Sequence, residues 1–326
     1  MQRRRPLKDS IRWLRAAASG PELRRGLLAQ ATPVLAELSG ARVIRVPAEG
    51  PYPVFNPGMV STDDGLMLFA RSSSYVKFAE ARSLYLSRPH HTTALLLHLD
   101  DEGRLMRQET VDDGELRQAG VNGGIEDVRL FRHEGRVMGI GAAVSHRPDG
   151  TWRVGQAMFE LDGARIVRPV LVPQVEGAHP EKNWVPLVKD GQLWLAYSVK
   201  PAIFMRYGPA GFELPPAQER AGLPFDLRGG TPFIPWGKGH LALVHTSPQW
   251  WGDRMHYLHH FVYVDEALRL AEVSPPFFLV RRGTEFACGL VHRDGELWVS
   301  LGLADRHCAV VRLPARVVDR MVLERP

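Results

Sequence analysis

The sequence predicts an all-β chain, a five-bladed β-propeller with a short N-terminal helical segment. Three observations predict it. Past residue 40, short apolar or alternating runs rich in Val, Leu, Trp and Tyr are separated by Gly-containing turns, with no long helical periodicity. One unit recurs five times: a polar anchor, a short apolar run, a turn with Gly and an alternating strand. Successive anchors lie about 50 to 70 residues apart, which suits four-stranded blades with variable outer loops.

The elements follow in order. Residues 1–40 hold eight Lys and Arg against three Asp and Glu, so the whole formal excess of +5 lies there. Leu7, Ile11, Leu14 and Ala18 recur at helical spacing between arginines, so residues 6–38 read as one or two basic amphipathic helices. Such a segment either packs on the domain with a solvated basic face or makes a peripheral contact with an anionic membrane. The rest of the chain is neutral overall, which argues against a nucleic-acid-binding body. Residues 41–326 form the propeller. The strand from Ala41 to Val46 is expected to join the last blade and close the ring, because closure removes unpaired strand edges.

The five copies are FNPGMVSTDDGLMLFARSS (Phe55 to Ser73), IEDVRLFRHEGRVMGIGAA (Ile125 to Ala143), KNWVPLVKDGQLWLAYSV (Lys182 to Val199), GGTPFIPWGKGHLALVHTS (Gly229 to Ser247) and EFACGLVHRDGELWVSLGL (Glu285 to Leu303). The step from anchor to turn glycine barely varies: Asn56 to Gly65, Asp127 to Gly135, Asn183 to Gly191, Thr231 to Gly239, Glu285 to Gly295. Each copy is followed by a further strand, for example Ala94 to Leu99 or Leu258 to Val264. A β-sandwich with a second domain would explain the strands but not this recurrence.

The innermost strand of each blade lines the propeller axis, so the anchors should converge at one mouth of it. The candidates are Asn56 and Arg71, then Glu126, Asp127 and Arg129, then Glu181, Lys182, Asn183 and Trp184. Arg228, Thr231 and His245 follow from the fourth copy and Glu285 from the fifth, with Asp305 and His307 nearby. Carboxylates, cations and a tryptophan together suit sugar chemistry: an acid for a glycosidic oxygen, cations for a charged group, an aromatic face for a pyranose ring. Each has a plainer reading. Glu126 and Asp127 can cap backbone amides, Trp184 can pack between blades, His245 can be a hydrogen-bonded channel histidine, Arg228 a surface arginine and Glu285 a structural partner. His256 and His260 share a strand face that His259 does not, so a metal site there is disfavoured. Cys288 and Cys308 have no metal-ligand or disulfide spacing and are expected to be reduced and buried. The longest apolar runs, such as Leu193 to Val199, are far short of a membrane span, and no secretory signal pattern is present; a cytoplasmic protein is expected, at most peripheral at the inner membrane face.

The motif IEDVR and the five-bladed arrangement resemble glycoside hydrolase family 130, the β-mannoside phosphorylases and hydrolases, and more distantly families 43, 62 and 32. GIEDVR is similar to that family's GIEDPR, and FNPG resembles its first-blade Asn-Pro; EKNWVP, RGGTP and EFACGL look like a bacterial branch of the same superfamily. The resemblance implies that Asp127 is the proton donor and that Arg71 and Arg129 contact sugar or phosphate. Val128 stands where the motif has proline. Asn56 stands where family 43 has an aspartate base, and an amide cannot deprotonate water, so an inverting hydrolysis of that type loses its base. A phosphorolytic enzyme needs a cationic seat for inorganic phosphate instead, which Arg71, Arg129, Lys182, Arg228 and His245 are placed to supply. The expected function is therefore a phosphorylase or hydrolase of β-linked glycosides, manno-configured ones among them, with Asp127 as acid, Glu126 and Glu285 as further carboxylates and no cofactor. Two alternatives stay open: a glycosyltransferase of cell-surface glycan synthesis using a sugar nucleotide or sugar phosphate in the same pocket, and a sugar-binding propeller without catalysis.

Overall fold

Each of the five repeats is the inner hairpin of a blade. The structure, a computed structural model, describes residues 32–78, 82–172, 183–208, 211–213, 215–216, 227–246 and 256–324. In chain order the strands are β1 (Arg42–Val46), β2 (Val54–Thr62), β3 (Gly65–Ser73), β4 (Tyr75–Phe78), β5 (Arg82–Tyr85), β6 (Thr92–Leu99), β7 (Leu105–Thr110), β8 (Gly124–His133), β9 (Arg136–His146), β10 (Trp152–Asp162), β11 (Arg165–Val172), β12 (Val185–Lys189), β13 (Gln192–Ser198), β14 (Ile203–Gly208), β15 (Gly211–Phe212), β16 (Arg228–Gly229), β17 (Ile234–Trp236), β18 (Gly239–Thr246), β19 (Leu258–Val264), β20 (Leu270–Val273), β21 (Glu285–Arg293), β22 (Glu296–Leu303) and β23 (His307–Pro314).

The blades are the sheets β2-β3-β6-β7, β8-β9-β10-β11, β12-β13-β14-β15, β16/β17-β18-β19-β20 and β21-β22-β23-β1. The strand ladders within the blades are all antiparallel, as short hairpin loops require. At the inner turns of blades 2, 3 and 5, Glu134-Gly135, Asp190-Gly191 and Asp294-Gly295 are left-handed at both residues, the conformation that matches strand twist. The closing strand is where it was expected: β1 completes blade 5, with Ile44 opposite Val310. In blade 4 the inner position is shared by β16 and β17, with Thr231 and Pro232 between them.

Because both faces of every blade are covered, the strands read as apolar runs as well as alternations. Apolar clusters fill the five inter-blade gaps. Phe69 meets Leu130 and Phe159 between blades 1 and 2, Ile140 meets Leu195 between 2 and 3, and Leu187 meets Ala242 and Val262 between 3 and 4. Leu243 and Phe261 meet Leu297 and Val299 between blades 4 and 5, and Leu68 meets Trp298 and Val310 where the ring closes. Each fully buried Leu, Val or Phe contributes about 1.5–3 kcal/mol.

Three helices are described: α1 (Leu35–Leu38), α2 (Gly114–Gln118) and α3 (Ala315–Val322). α3 buries Val318 and Val322 beside blades 4 and 5, and its Asp319 accepts a hydrogen bond from Trp236 Nε1 at 2.9 Å. Of the basic helix expected over residues 6–38, only α1 falls among the described residues; residues 1–31 lie outside them. No helix among the described residues is long and apolar enough to cross a membrane. The β4–β5 hairpin stands outside the blade pattern, inserted between β3 and β6. It reaches from blade 1 to blade 5, where Arg306 Nη2 donates to the Lys77 carbonyl at 2.7 Å.

Candidate functional site

The anchors are backbone features before they are side chains. Asn56 (φ 51°), Asp127 (φ 51°) and Asn183 (φ 69°) are left-handed, a conformation that Asn and Asp adopt more readily than other non-glycine residues. Around the first two, the ladder skips, from Phe55 to Gly58 in β2 and from Glu126 to Arg129 in β8. These bulges re-aim the side chains out of the sheet. Gly302 backs the first: a Cβ there would lie 1.9 Å from Asn56 Oδ1, so only glycine leaves room for the amide.

The two bulges put four predicted residues together. Asn56 Nδ2 donates to Asp127 Oδ1 at 2.8 Å, and Arg71 Nε lies 3.2 Å from the same oxygen. Arg71 Nη1 lies 2.6 Å from Glu126 Oε2, and its guanidinium carbon sits 4.4 Å from the centre of the Phe55 ring. Glu126 Oε1 accepts from Thr92 Oγ1 at 2.9 Å and pairs with His90 Nε2 at 3.1 Å. Burial alone would raise the Glu126 pKa, but Arg71, then His90 and Thr92, outweigh it and bring it down to about 2. Glu126 is therefore a fixed anion, which removes it as a proton donor. Burial likewise favours loss of the Arg71 proton, but Asp127 and Glu126 override this and hold the guanidinium charged. Asp127 keeps Oδ2 without a hydrogen-bond partner among the described residues, on a side chain 21% exposed.

Five residues that the repeat did not single out complete the wall. Tyr75, on β4, accepts from Arg71 Nη2 at 3.2 Å and donates to Asp305 Oδ2 at 3.0 Å. Asp305 is in the left-handed turn after β22, and burial pushes its carboxyl up despite the opposing pull of Arg71. His90 bridges Glu126 to Ser74, whose Oγ is 3.1 Å from Nδ1, and Thr92 holds Glu126 directly. Tyr257, packed edge-on against His245 and Phe286, has its hydroxyl pKa raised by burial and then by Asp305 and Asp127. Tyr75, His90, Thr92 and Tyr257 lie outside the repeated unit; for Asp305, its place just past the fifth copy was the available signal. His307, its neighbour in sequence, is exposed.

Other predicted residues do different work. Arg129 is 0% exposed and donates from Nε to Gly230 O (2.8 Å), from Nη1 to Asp127 O (2.7 Å) and from Nη2 to Asn183 Oδ1 (3.0 Å) and Gly229 O (3.1 Å). This corrects the expectation of a sugar or phosphate contact: Arg129 ties blades 2, 3 and 4 together beneath the site, and Asn183 is one of its acceptors. Glu285, also 0% exposed, accepts from the backbone N–H of Leu279, of Val280 at 3.0 Å and of Arg281 at 3.1 Å. It is a loop anchor rather than a catalytic carboxylate. In blade 5 the bulge falls at Cys288, between Ala287 and Gly289, so Glu285 is not the counterpart of Asp127.

Thr231 is buried and carries the ladder across the break in blade 4, its Oγ1 accepting from Leu243 N at 3.0 Å, so it too leaves the substrate-binding set. Trp184 is buried against Tyr197, ring centres 5.5 Å apart, and packs between blades 2 and 3 instead of forming a sugar-facing wall. His245 is buried at the site edge, 4.9 Å from the Phe286 ring, and Arg228, opposite it in register, is exposed. Lys182 and Glu181 lie outside the described residues. His259 faces Glu285 and the Ala287 amide, whereas His260 turns to the Ser274 carbonyl, the opposite orientations expected of strand neighbours. Both cysteines are buried thiols, unbonded to one another.

The result is a polar cluster around the propeller axis with a carboxylate oxygen that has no partner among the described residues, a second carboxylate locked as an anion, a third carboxyl in a buried position and flanking tyrosines. No family model matches the chain in sequence, and neither does any curated protein. Solved structures do match in fold. β-1,2-Mannobiose phosphorylase from Listeria innocua, complexed with β-1,2-mannobiose, is 13% identical over 86% of this chain and 99% of that one, with a TM-score of 0.58. A mannose phosphorylase from Leishmania mexicana in complex with phosphate is 12% identical over 84% and 88% of the two chains, TM-score 0.53. A GDP-Man-dependent mannosyltransferase from the same organism is 12% identical over 84% and 90%, TM-score 0.52. At these identities the likeness is one of fold, and it agrees with the propeller that the IEDVR resemblance implied.

Proposed function

We propose that the chain is a carbohydrate-active enzyme that cleaves β-linked glycosides, with Asp127 as the general acid. The observation that carries this reading is the division of labour on one carboxyl group: Oδ1 is fixed by Asn56 and Arg71, and Oδ2 of the partly exposed side chain has no hydrogen-bond partner among the described residues. A proton on Oδ2 is positioned for a glycosidic oxygen, while Glu126, held as an anion, keeps Arg71 in place. The phosphorylases that share the fold make manno-configured sugars the first substrates to test.

Phosphorolysis needs an anion seat. Arg71 already faces Glu126 and Asp127, so the seat falls to the blade 3 and 4 side, to Arg228 and His245, with Lys182 as the further cation from sequence. The test is a screen of β-mannobioses and p-nitrophenyl glycosides with and without inorganic phosphate, scored for sugar 1-phosphate and free sugar. Phosphate-dependent release supports phosphorolysis and phosphate-independent release supports hydrolysis. Asp127→Asn preserves the acceptor for Asn56 and should abolish turnover in a folded protein; retained turnover removes Asp127 from the role.

A second reading follows from the mannosyltransferase of the same fold: transfer from a nucleotide sugar. Saturable GDP-mannose binding without any response to phosphate would favour it. A propeller that only binds sugar would instead show ligand affinity that Asp127→Asn leaves unchanged, and no product with any donor.

A further inference from the structure

The β4–β5 hairpin carries an aromatic group that the pocket chemistry above leaves unused. Tyr75 and Tyr85 are opposite one another in register and therefore share one face of the hairpin. Their ring centres are 6.2 Å apart, and His90 stands edge-on to Tyr85 at 5.7 Å and beside Tyr75 at 5.6 Å. The two inner rings are bound to site groups, His90 to Glu126 and Tyr75 to Arg71 and Asp305. Tyr85 is different: it is 46% exposed, and its hydroxyl makes no hydrogen bond among the described residues. An amphipathic ring, held by two site side chains and open on its outer side, is a surface suited to the apolar face of a sugar.

We propose that Tyr85 is the stacking platform for the second ring of the substrate, the sugar that leaves when the glycosidic bond is broken. The proposal rests on the reading of Asp127 as acid. A glycosidic oxygen at Asp127 leaves one ring inside the pocket, among Asn56, Arg71 and Asp305, and directs the next ring outward. From Glu126 the chain of contacts runs to His90 at 3.1 Å and from His90 to the exposed ring of Tyr85 at 5.7 Å. The hairpin is also pinned to blade 5 through Asp305 and Arg306, so the platform is held on two sides instead of on a free loop.

The test measures equilibrium binding of β-1,2-mannobiose, β-1,4-mannobiose and mannose by calorimetry to the wild-type chain and to Tyr85→Leu and Tyr85→Phe. Leu keeps apolar bulk on the hairpin without a flat ring, and thermal melts check that each variant is folded. The expected result is a loss of about tenfold in disaccharide affinity for Tyr85→Leu, mannose affinity unchanged, and near wild-type values for Tyr85→Phe, the size of one aromatic contact. Equal disaccharide affinity in Tyr85→Leu overturns the platform and leaves the pocket reading intact. Parallel losses for mannose and disaccharide also overturn it, because they place Tyr85 at the inner ring. A wild-type chain that binds none of the three sugars overturns the manno-glycoside reading, and the platform with it.

Discussion

Replacing Arg129 with Met separates two roles that look alike in sequence. A guanidinium two residues past the candidate acid reads as a ligand contact, yet its donors go to Gly230 O, Asp127 O, Gly229 O and Asn183 Oδ1 at 2.7 to 3.1 Å. Met has similar length and no donors, so these acceptors lose their partner in a buried setting. An unsatisfied buried acceptor costs about 1–3 kcal/mol. Taking the low end for each, because carbonyls can find weaker partners, the loss is about 4 kcal/mol. A chain of this size shifts by roughly 2 °C per kcal/mol, so Tm should fall by about 8 °C. Circular-dichroism melts of wild type and Arg129→Met measure it, with sugar binding on the same samples below the transition. A Tm within about 2 °C of wild type together with lost ligand binding would refute the reasoning and return Arg129 to the pocket.

Three further outcomes follow from the same geometry. Glu126 has its pKa lowered from 4.5 to about 2, so the stability it contributes is full above pH 4.5 and is lost as pH falls towards 2; the Tm gap between wild type and Glu126→Gln should narrow between about pH 5 and about pH 3, and a constant gap would show that the carboxylate is not held by Arg71. Gly302→Ala drives a methyl into Asn56 Oδ1 and should cost about 1–3 kcal/mol, with the Asn56–Asp127 hydrogen bond broken; an unchanged Tm would place the amide elsewhere. Glu285→Gln turns an amide N–H₂ towards the N–H groups of residues 279–281 and should lower Tm, whereas full stability with abolished turnover would restore Glu285 as a catalytic group.

The blades were legible because their signals are local. Strand alternation, X-Gly turns and a constant step from anchor to glycine all repeat at the inner hairpin, and the closing strand follows from the need to cover an edge. The roles of the anchors were only partly legible. Asn56 and Asp127 each sit in a bulge whose left-handed residue calls for Asn or Asp, so side-chain type reported the backbone and the site together. Thr231 and Glu285 are polar at similar positions for another reason, as partners for backbone N–H groups that the blade 4 break and the 279–281 loop leave free. Sequence spacing does not distinguish a carboxylate facing a cavity from one facing three amides. His90 and Tyr75 escaped notice because they lie on an insertion, where no repeat marks them, and only folding brings them back to Glu126 and Asp305.

That insertion also bears on where an anionic co-substrate can sit. Around Arg71 the structure gathers Glu126 and Asp127 directly and Asp305 through Tyr75, so one guanidinium answers several acidic groups. With its charge already matched by the Glu126 anion, Arg71 has little to offer a phosphate, and the group suits an uncharged sugar whose hydroxyls donate to carboxylates. Arg228 and His245, opposite one another in register, bring cationic side chains from blade 4, and Tyr257 beside His245 lies within the influence of Asp305 and Asp127 as well as of Arg228. On the function proposed above, the inner sugar ring is assigned to the side of blades 1, 2 and 5, and an attacking anion to the side of Arg228 and His245 in blade 4. The hydrogen bond from Asn56 gives a local reason for an amide, not a second aspartate, beside Asp127. An amide donates to Oδ1 at 2.8 Å and fixes the acid's direction, whereas another carboxylate there would compete for Arg71 and, when ionised, donate nothing to Oδ1.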